Sequence, residues 1–270
     1  MKSSLTQNHH QLRSDTSEPR LKEVQDCIAH ARAASAPGQN GVQYKVYKLV
    51  HRLWKLSKVV WRKGRLCPTW MIAEGCYIPK EDGSKAITQF RNISLLNVEG
   101  KVFLAVLARR LTSYLIRNKY IDTSVQKGGM PGMSGCLEHT SVLTQIIREA
   151  RQNKGDLAVL WLDLTNAYGT VPHKLVEVTL QKYHVPDQVQ QLLNDYFANF
   201  KMRFTIGDET TKWQRLEIGI VTGCTISVIL FAGAMKLLVK SVERTSRGPV
   251  MESDIRQPPT RAFTDDMTIT

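Results

Sequence analysis

No Cys-x-x-Cys pair occurs in the 270 residues, and the five cysteines, Cys27, Cys67, Cys76, Cys136 and Cys224, form an odd set. This argues against a disulfide framework and for reduced thiols in an intracellular setting. Cys136 and His139 have a ligand-like gap, but no second pair lies near them, which speaks against zinc. The first twenty residues lack the apolar centre of a secretory signal. The least polar run, residues 219–235, falls short of the roughly 20 residues of a membrane span. It is also broken by Gly, Thr and Ser, and is expected as a buried helix. The glycine-rich stretch 126–135 lacks the Gly-Lys-Ser/Thr ending of a phosphate loop and reads only as a loop. Acidic residues are few, 24 against 37 Lys plus Arg, leaving a net charge of +13. The cations recur along the sequence instead of filling one tail, which points to a polyanionic partner, nucleic acid before membrane. On charge alone, a basic protein without such a partner remains the alternative.

The length suits one domain of two lobes or two small domains. Residues 1–19 are polar and expected to be a disordered arm. A helix over 20–34 is stopped by the turn residues Ala36-Pro37-Gly38-Gln39-Asn40-Gly41. Residues 44–63 read as one helix with Lys45, Lys48, Arg52, Lys55, Lys58 and Arg62 on one stripe and Val46, Leu49, Val50, Leu53 and Val60 mostly opposite. A solvated charged face and contact with phosphates are both open for that stripe, with a membrane-surface or calmodulin-type helix a lesser alternative. Residues 76–96 read as a hairpin carrying Lys80, Lys85 and Arg91. Helices are expected over 99–118, 137–151 and 186–200, and a hairpin over 201–218 turning at Gly207-Asp208.

Residues 157–162, LAVLWL, form an apolar run too short for a helix with its own core face, and are expected as a strand buried on both faces. The run ends on Asp163. A lone buried charge is costly unless paired or bound to metal, so a carboxylate at a strand mouth needs a reason. Near the other end, RAFTDDMTIT places Asp265 and Asp266 between two short β-favouring runs, a hairpin with acids at its tip. If both strands share one sheet, three carboxylates converge, a set suited to a pair of Mg²⁺ ions. Each piece alone is equally compatible with ordinary turn chemistry.

In order, Asp163-Leu164-Thr165-Asn166-Ala167-Tyr168, Gly219-Ile220-Val221-Thr222-Gly223-Cys224 and Phe263-Thr264-Asp265-Asp266 resemble the three palm motifs of reverse transcriptases. The nearest look is that of non-LTR (LINE-like) retroelements. The order is much more specific than any one motif. The turn at 36–41 resembles the segment ahead of the fingers in that family, with Asn40 where Asp is usual, and 76–96 resembles its fingers motifs. Phe263 stands where Tyr is more familiar, and Thr222 where Gln is usual.

The resemblance implies an α+β, right-hand polymerase: an antiparallel sheet with packed helices, divided into fingers-like residues 20–125 and an incomplete palm, 126–270. It stops at Thr270, so the thumb is expected to be missing. It implies RNA-directed DNA polymerisation, transfer of deoxynucleotides to a DNA primer 3′-hydroxyl on an RNA template with two Mg²⁺ or Mn²⁺ ions. Asp163, Asp265 and Asp266 fall on the catalytic, metal-holding positions. Lys80 and Arg91 fall on the positions that steady the triphosphate, with Lys85 a substitute for Lys80. Tyr168 falls where an aromatic ring collides with a 2′-hydroxyl, and Gly223 where bare backbone approaches the nucleotide. A retroelement-derived fragment that binds RNA or DNA without polymerising is the rival reading. An RNA-dependent RNA polymerase is opposed by Tyr168.

Overall fold

A computed structural model describes residues 12–48, 50–133, 135–206 and 208–270. Along the chain run α1 (Leu21–Ala29), a 3₁₀ turn over Tyr44–Lys48, α2 (Val50–Lys63), β1 (Ile72–Pro79), β2 (Phe90–Leu96), α3 (Val98–Arg117), α4 (Leu137–Gln152) and β3 (Leu160–Leu162). Then follow α5 (Ala167–Thr170), α6 (His173–Lys182), α7 (Asp187–Asn199), β4 (Lys201–Ile206), β5 (Glu209–Thr210), β6 (Gln214–Arg215), α8 (Thr225–Thr245), β7 (Thr260–Phe263) and β8 (Asp266–Ile269). The fold is α+β with two sheets.

In the first sheet β1 lies between β2, antiparallel from Ala73↔Leu96 to Pro79↔Phe90, and β4, parallel from Ile72↔Lys201 to Gly75↔Phe204. β5 and β6 both pair with β4. A boundary at 125/126 therefore cuts through a sheet, because β4 to β6 join strands from before it. The second sheet is β3-β8-β7, antiparallel throughout.

The main core has α3 against α8 at its centre, with Phe103, Tyr183, Tyr196, Phe200 and Phe231 fully buried, and a second, smaller cluster of Val24, Cys27, Leu53, Val98, Val102 and Val106 packs α1 and α2 on α3. A helix apolar on all sides must be covered on all sides. α8 starts at Thr225 and extends to Thr245, beyond the expected 219–235, and is long and apolar enough by composition to cross a membrane. Here most of it is buried in the core, against α3 and α6.

Three expectations are corrected. The single helix over 44–63 is a 3₁₀ turn followed by α2, with a non-helical Tyr47 between them. Leu49 and the Lys48 side chain lie outside the described residues, and Val46 is exposed, so the stripe is not continuous. Second, the strand ending at Asp163 is short and not buried: Leu160 is 53% and Trp161 64% exposed. β3 is an edge strand, paired only to β8 among the described residues, so an apolar run did not mean a central strand. Third, part of the expected arm is placed. Residues 1–11 lie outside the described residues, but 12–19 run as a strap over α2 and α3. Arg110, its side chain 7% exposed, donates to the carbonyls of Ser17 and Glu18 and pairs with Glu23 at 2.6 Å. The Trp54 indole donates to Pro19 O at 2.8 Å, and Glu18 pairs with Lys58 and Arg62. Of the basic stripe, Lys45, Arg52, Lys55 and Arg62 are exposed, and of these only Arg62 has an ion pair among the described residues. In the 201–218 hairpin the expected Gly207 turn residue lies outside the described residues.

Candidate active site

β3 and β8 pair antiparallel up to Leu162↔Met267, so the next residues, Asp163 and Asp266, leave the ladder at the same end. β7 and β8 close at Phe263↔Asp266, with Thr264-Asp265 as the two-residue turn between them. The register thus brings Asp163, Asp265 and Asp266 to one sheet edge. None of the three carboxylates has a hydrogen bond or ion pair among the described residues. Their mutual effect is visible at Asp266, whose carboxyl is pushed above its ordinary range by partial burial and then by the charges of Asp265 and Asp163.

Three hard oxygen donors under like-charge pressure fit a divalent cation. They do not form a closed cage: among the described residues no three His, Cys, Asp or Glu side chains are gathered as a ready metal site. An open carboxylate edge suits Mg²⁺, which keeps waters and is commonly shared between one or two carboxylates and substrate phosphates.

The Thr264 φ of 60° is costly for a β-branched residue, roughly 1–3 kcal/mol. Residues 125–128, which sequence reasoning left as a loop, lie beside it. Lys127 N–H donates to Ala262 O at 3.0 Å and Ala262 N–H to Val125 O at 2.8 Å. A Cβ on Gly128 would sit 2.1 Å from Thr264 N, so only glycine allows the approach.

Behind the acids, the Tyr168 ring stacks on Phe231 with centroids 4.7 Å apart and planes at 9°. Burial and then the Asp265 charge push its hydroxyl up to about 12. The segment 219–224 is tied to the same loop: Ile220 N–H donates to Tyr168 O at 2.8 Å and Gly219 N–H to Val171 O at 2.9 Å. His173 donates from Nε2 to Gly219 O at 2.8 Å and packs on Phe197. On its far side the segment grips β2. The Thr222 hydroxyl donates to Asn92 O at 2.9 Å, and Ser94 N–H donates to Thr222 O at 3.2 Å. Gly223 has φ +87°, and a Cβ there would meet Ser94 O at 2.8 Å. The Gly223 requirement is therefore set by β2 of the first sheet.

Lys80 and Arg91 stand at the free end of the β1–β2 hairpin, Arg91 paired with Ile78 and both side chains exposed. Lys80 Nζ donates to Thr88 O at 3.0 Å. No contact among the described residues joins either cation to the three acids. The register therefore brings Asp163, Asp265 and Asp266 to one sheet edge within reach of each other's charge and of Tyr168, connects Gly223 through the 219–224 segment, and leaves Lys80 and Arg91 on a separate hairpin next to that segment's anchor. Lys85 lies exposed on the same hairpin.

Residues 78–270 match the family described as reverse transcriptase (RNA-dependent DNA polymerase). Among curated proteins, the Retrovirus-related Pol polyprotein from type-1 retrotransposable element R2 of Nasonia vitripennis is 24% identical over 225 residues, 83% of this chain and 21% of that protein. The protein of the same description from Popillia japonica is 21% identical over 257 residues, 94% of this chain and 35% of its own. The Transposon TX1 uncharacterized 149 kDa protein of Xenopus laevis is 24% identical over 254 residues, 92% of this chain and 19% of its own. The chain thus spans from about a fifth to about a third of the length of these relatives.

Proposed function

The chain belongs to the reverse transcriptase family, of the kind carried by non-LTR retrotransposons, and on that premise we propose that it is an RNA-directed DNA polymerase domain. The observation that carries the reading is the convergence of Asp163, Asp265 and Asp266 on one sheet edge, without any cationic partner among the described residues, near the half-buried ring of Tyr168. On this reading the β3-β8-β7 sheet is the palm and the β1–β2 hairpin part of the fingers.

The reaction is attack of a primer 3′-hydroxyl on the α-phosphate of a deoxynucleoside triphosphate, with pyrophosphate leaving. Bound Mg²⁺ or Mn²⁺ ions supply Lewis-acid stabilisation of the charge that develops on the phosphates. Asp163 and Asp265 would hold them, and Asp266 would assist. Lys80 exchanges its Thr88 carbonyl for a phosphate oxygen, and Arg91 grips another by a bidentate contact. Tyr168, fixed by its stack on Phe231, blocks a 2′-hydroxyl. Gly223, its missing Cβ already required by Ser94 O of β2, presents bare backbone to the incoming nucleotide. Positioning of the two reactants supplies a second large part of the rate. The exposed Lys45, Arg52 and Lys55 of the basic stripe contact template phosphates, and their neutralisation lowers the salt slope of RNA binding.

The test is primer extension on poly(rA)·oligo(dT) with Mg²⁺ or Mn²⁺, the unmodified chain beside Asp265→Asn. Extension by the unmodified chain alone is expected. RNA binding without extension would move the reading to a non-polymerising nucleic-acid binder.

A further inference from the structure

Gln126 is 3% exposed, and both its amide oxygen and its amide nitrogen are hydrogen-bonded. Oε1 accepts the Thr264 N–H at 3.0 Å and the Gly128 N–H at 2.9 Å, while Nε2 donates to Thr264 O at 3.1 Å. One planar group thus holds both backbone polar atoms of the residue before Asp265. That residue is Thr264, held at φ 60°. The bonds that align 125–128 beside β7 bring the amide to the turn without loop freedom.

From this geometry we infer that Gln126 is a positioning residue for the metal-binding edge, clamping the Thr264-Asp265 turn so that Asp265 and Asp266 keep their places opposite Asp163. The inference rests on the polymerase reading above. The residue type follows from the bonds. A carboxylate could accept the two N–H groups, but it could not donate to Thr264 O and would add a fourth charge beside three. A hydrocarbon of the same size would leave three backbone groups without partners. A turn at positive φ, released from its clamp, is free to relax to negative φ, because the β7–β8 ladder from Thr260↔Ile269 to Phe263↔Asp266 holds only the strands that flank it.

The experiment compares the unmodified chain with Gln126→Met, Thr264→Gly and the double variant. Two readouts are taken: Mn²⁺ affinity from the resonance signal of the free ion, and hydrogen exchange at residues 262–267. Gln126→Met should still melt cooperatively but bind Mn²⁺ about 10–100-fold more weakly, the range for residues that orient metal ligands, and exchange faster at the turn. The double variant should recover most of that affinity, since glycine takes positive φ without cost. Unchanged affinity and exchange in Gln126→Met would overturn the clamp. If that variant fails to fold, Thr264→Gly alone decides: affinity within about threefold of the unmodified chain supports the clamp, because glycine does not need to be held, and a tenfold loss contradicts it. Mn²⁺ binding in the unmodified chain that ignores Asp163→Asn and Asp265→Asn would remove the polymerase reading instead. Exchange at the turn would still report on the clamp itself.

Discussion

The ring of Tyr168 lies flat on that of Phe231, 4.7 Å between centroids at 9°, so a residue in a site loop is locked to the core helix α8. On the proposed sugar-selecting role, the lock removes the freedom the ring would need to move aside for a bulkier sugar. Its hydroxyl, held up at about 12, stays neutral at physiological pH. Tyr168→Ala is expected to reduce the preference for dTTP over UTP by at least about tenfold in single-nucleotide incorporation, the scale of one shaped contact. Phe231→Leu should reduce it less, since the ring pair contributes about 0.5–1.5 kcal/mol beyond burial. Unchanged selectivity in Tyr168→Ala would end the sugar-selection assignment.

His173 joins the loop after Asp163 to the 219–224 segment through Gly219 O. His173→Phe keeps the ring packing on Phe197 and removes the donor, at an expected loss of about 1–2 kcal/mol in urea unfolding. Gly219→Ala should be harsher: φ is +93° and the added Cβ would lie 2.7 Å from Gly169 O. A Gly219→Ala protein as stable as the parent would contradict the packing described.

The strap makes stability depend on acid pH. Glu18 is held down to about 2 from the ordinary 4.5 by hydrogen bonds from Arg62 and Lys58. At Glu23 burial pushes upward, but hydrogen bonds from Arg110 and the Arg20 N–H outweigh it and the net shift is down. Depressed carboxyls mean that the unfolded chain binds more protons in this window. The stabilisation is therefore full above about 4.5 and is lost as pH falls toward about 2. Arg110→Met should cost on the order of 3 kcal/mol at pH 7, leaving Glu23 without its partner, and flatten the melting-temperature profile over that acid window. A profile parallel to the parent's would show that the strap is not held this way.

Asn40 donates to both carboxylate oxygens of Glu99, at 3.1 and 3.2 Å. The neutral amide at this position thus has a local reason. Asn40→Asp should lose roughly 1 kcal/mol in denaturant titration by setting two carboxylates face to face, and Glu99→Gln in the same chain should restore it. Failure of that rescue would place the cost elsewhere.

How much of this was legible in sequence follows from how local each signal is. Asp163 at the end of an apolar run and the Thr264-Asp265-Asp266 turn between β-favouring runs are local patterns, and the register joined them. Helices α3, α4 and α7 followed from their apolar spacing to within a residue or two at each end. Pairing of β1 with β4, such as Gly75↔Phe204, has no local signature, which is why a boundary at 125/126 looked natural. Leu160 and Trp161 read as core because hydrophobicity reports burial only when something lies above the strand. Gln126 carried no signal: its value depends on Thr264, a long way off in sequence, and the glycine-rich stretch it opens read only as a loop.

The central claim, that the acids at the β3–β8 edge perform RNA-templated nucleotide transfer, is tested most directly by single-turnover addition of one dTTP to oligo(dT) on poly(rA). The unmodified chain, Asp163→Asn and Asp265→Asn are compared at saturating Mg²⁺. The account predicts one-nucleotide extension by the unmodified chain and a loss of at least about a thousandfold in each variant, as expected when charge stabilisation at the reacting phosphate is removed. Comparable extension by either variant would contradict it.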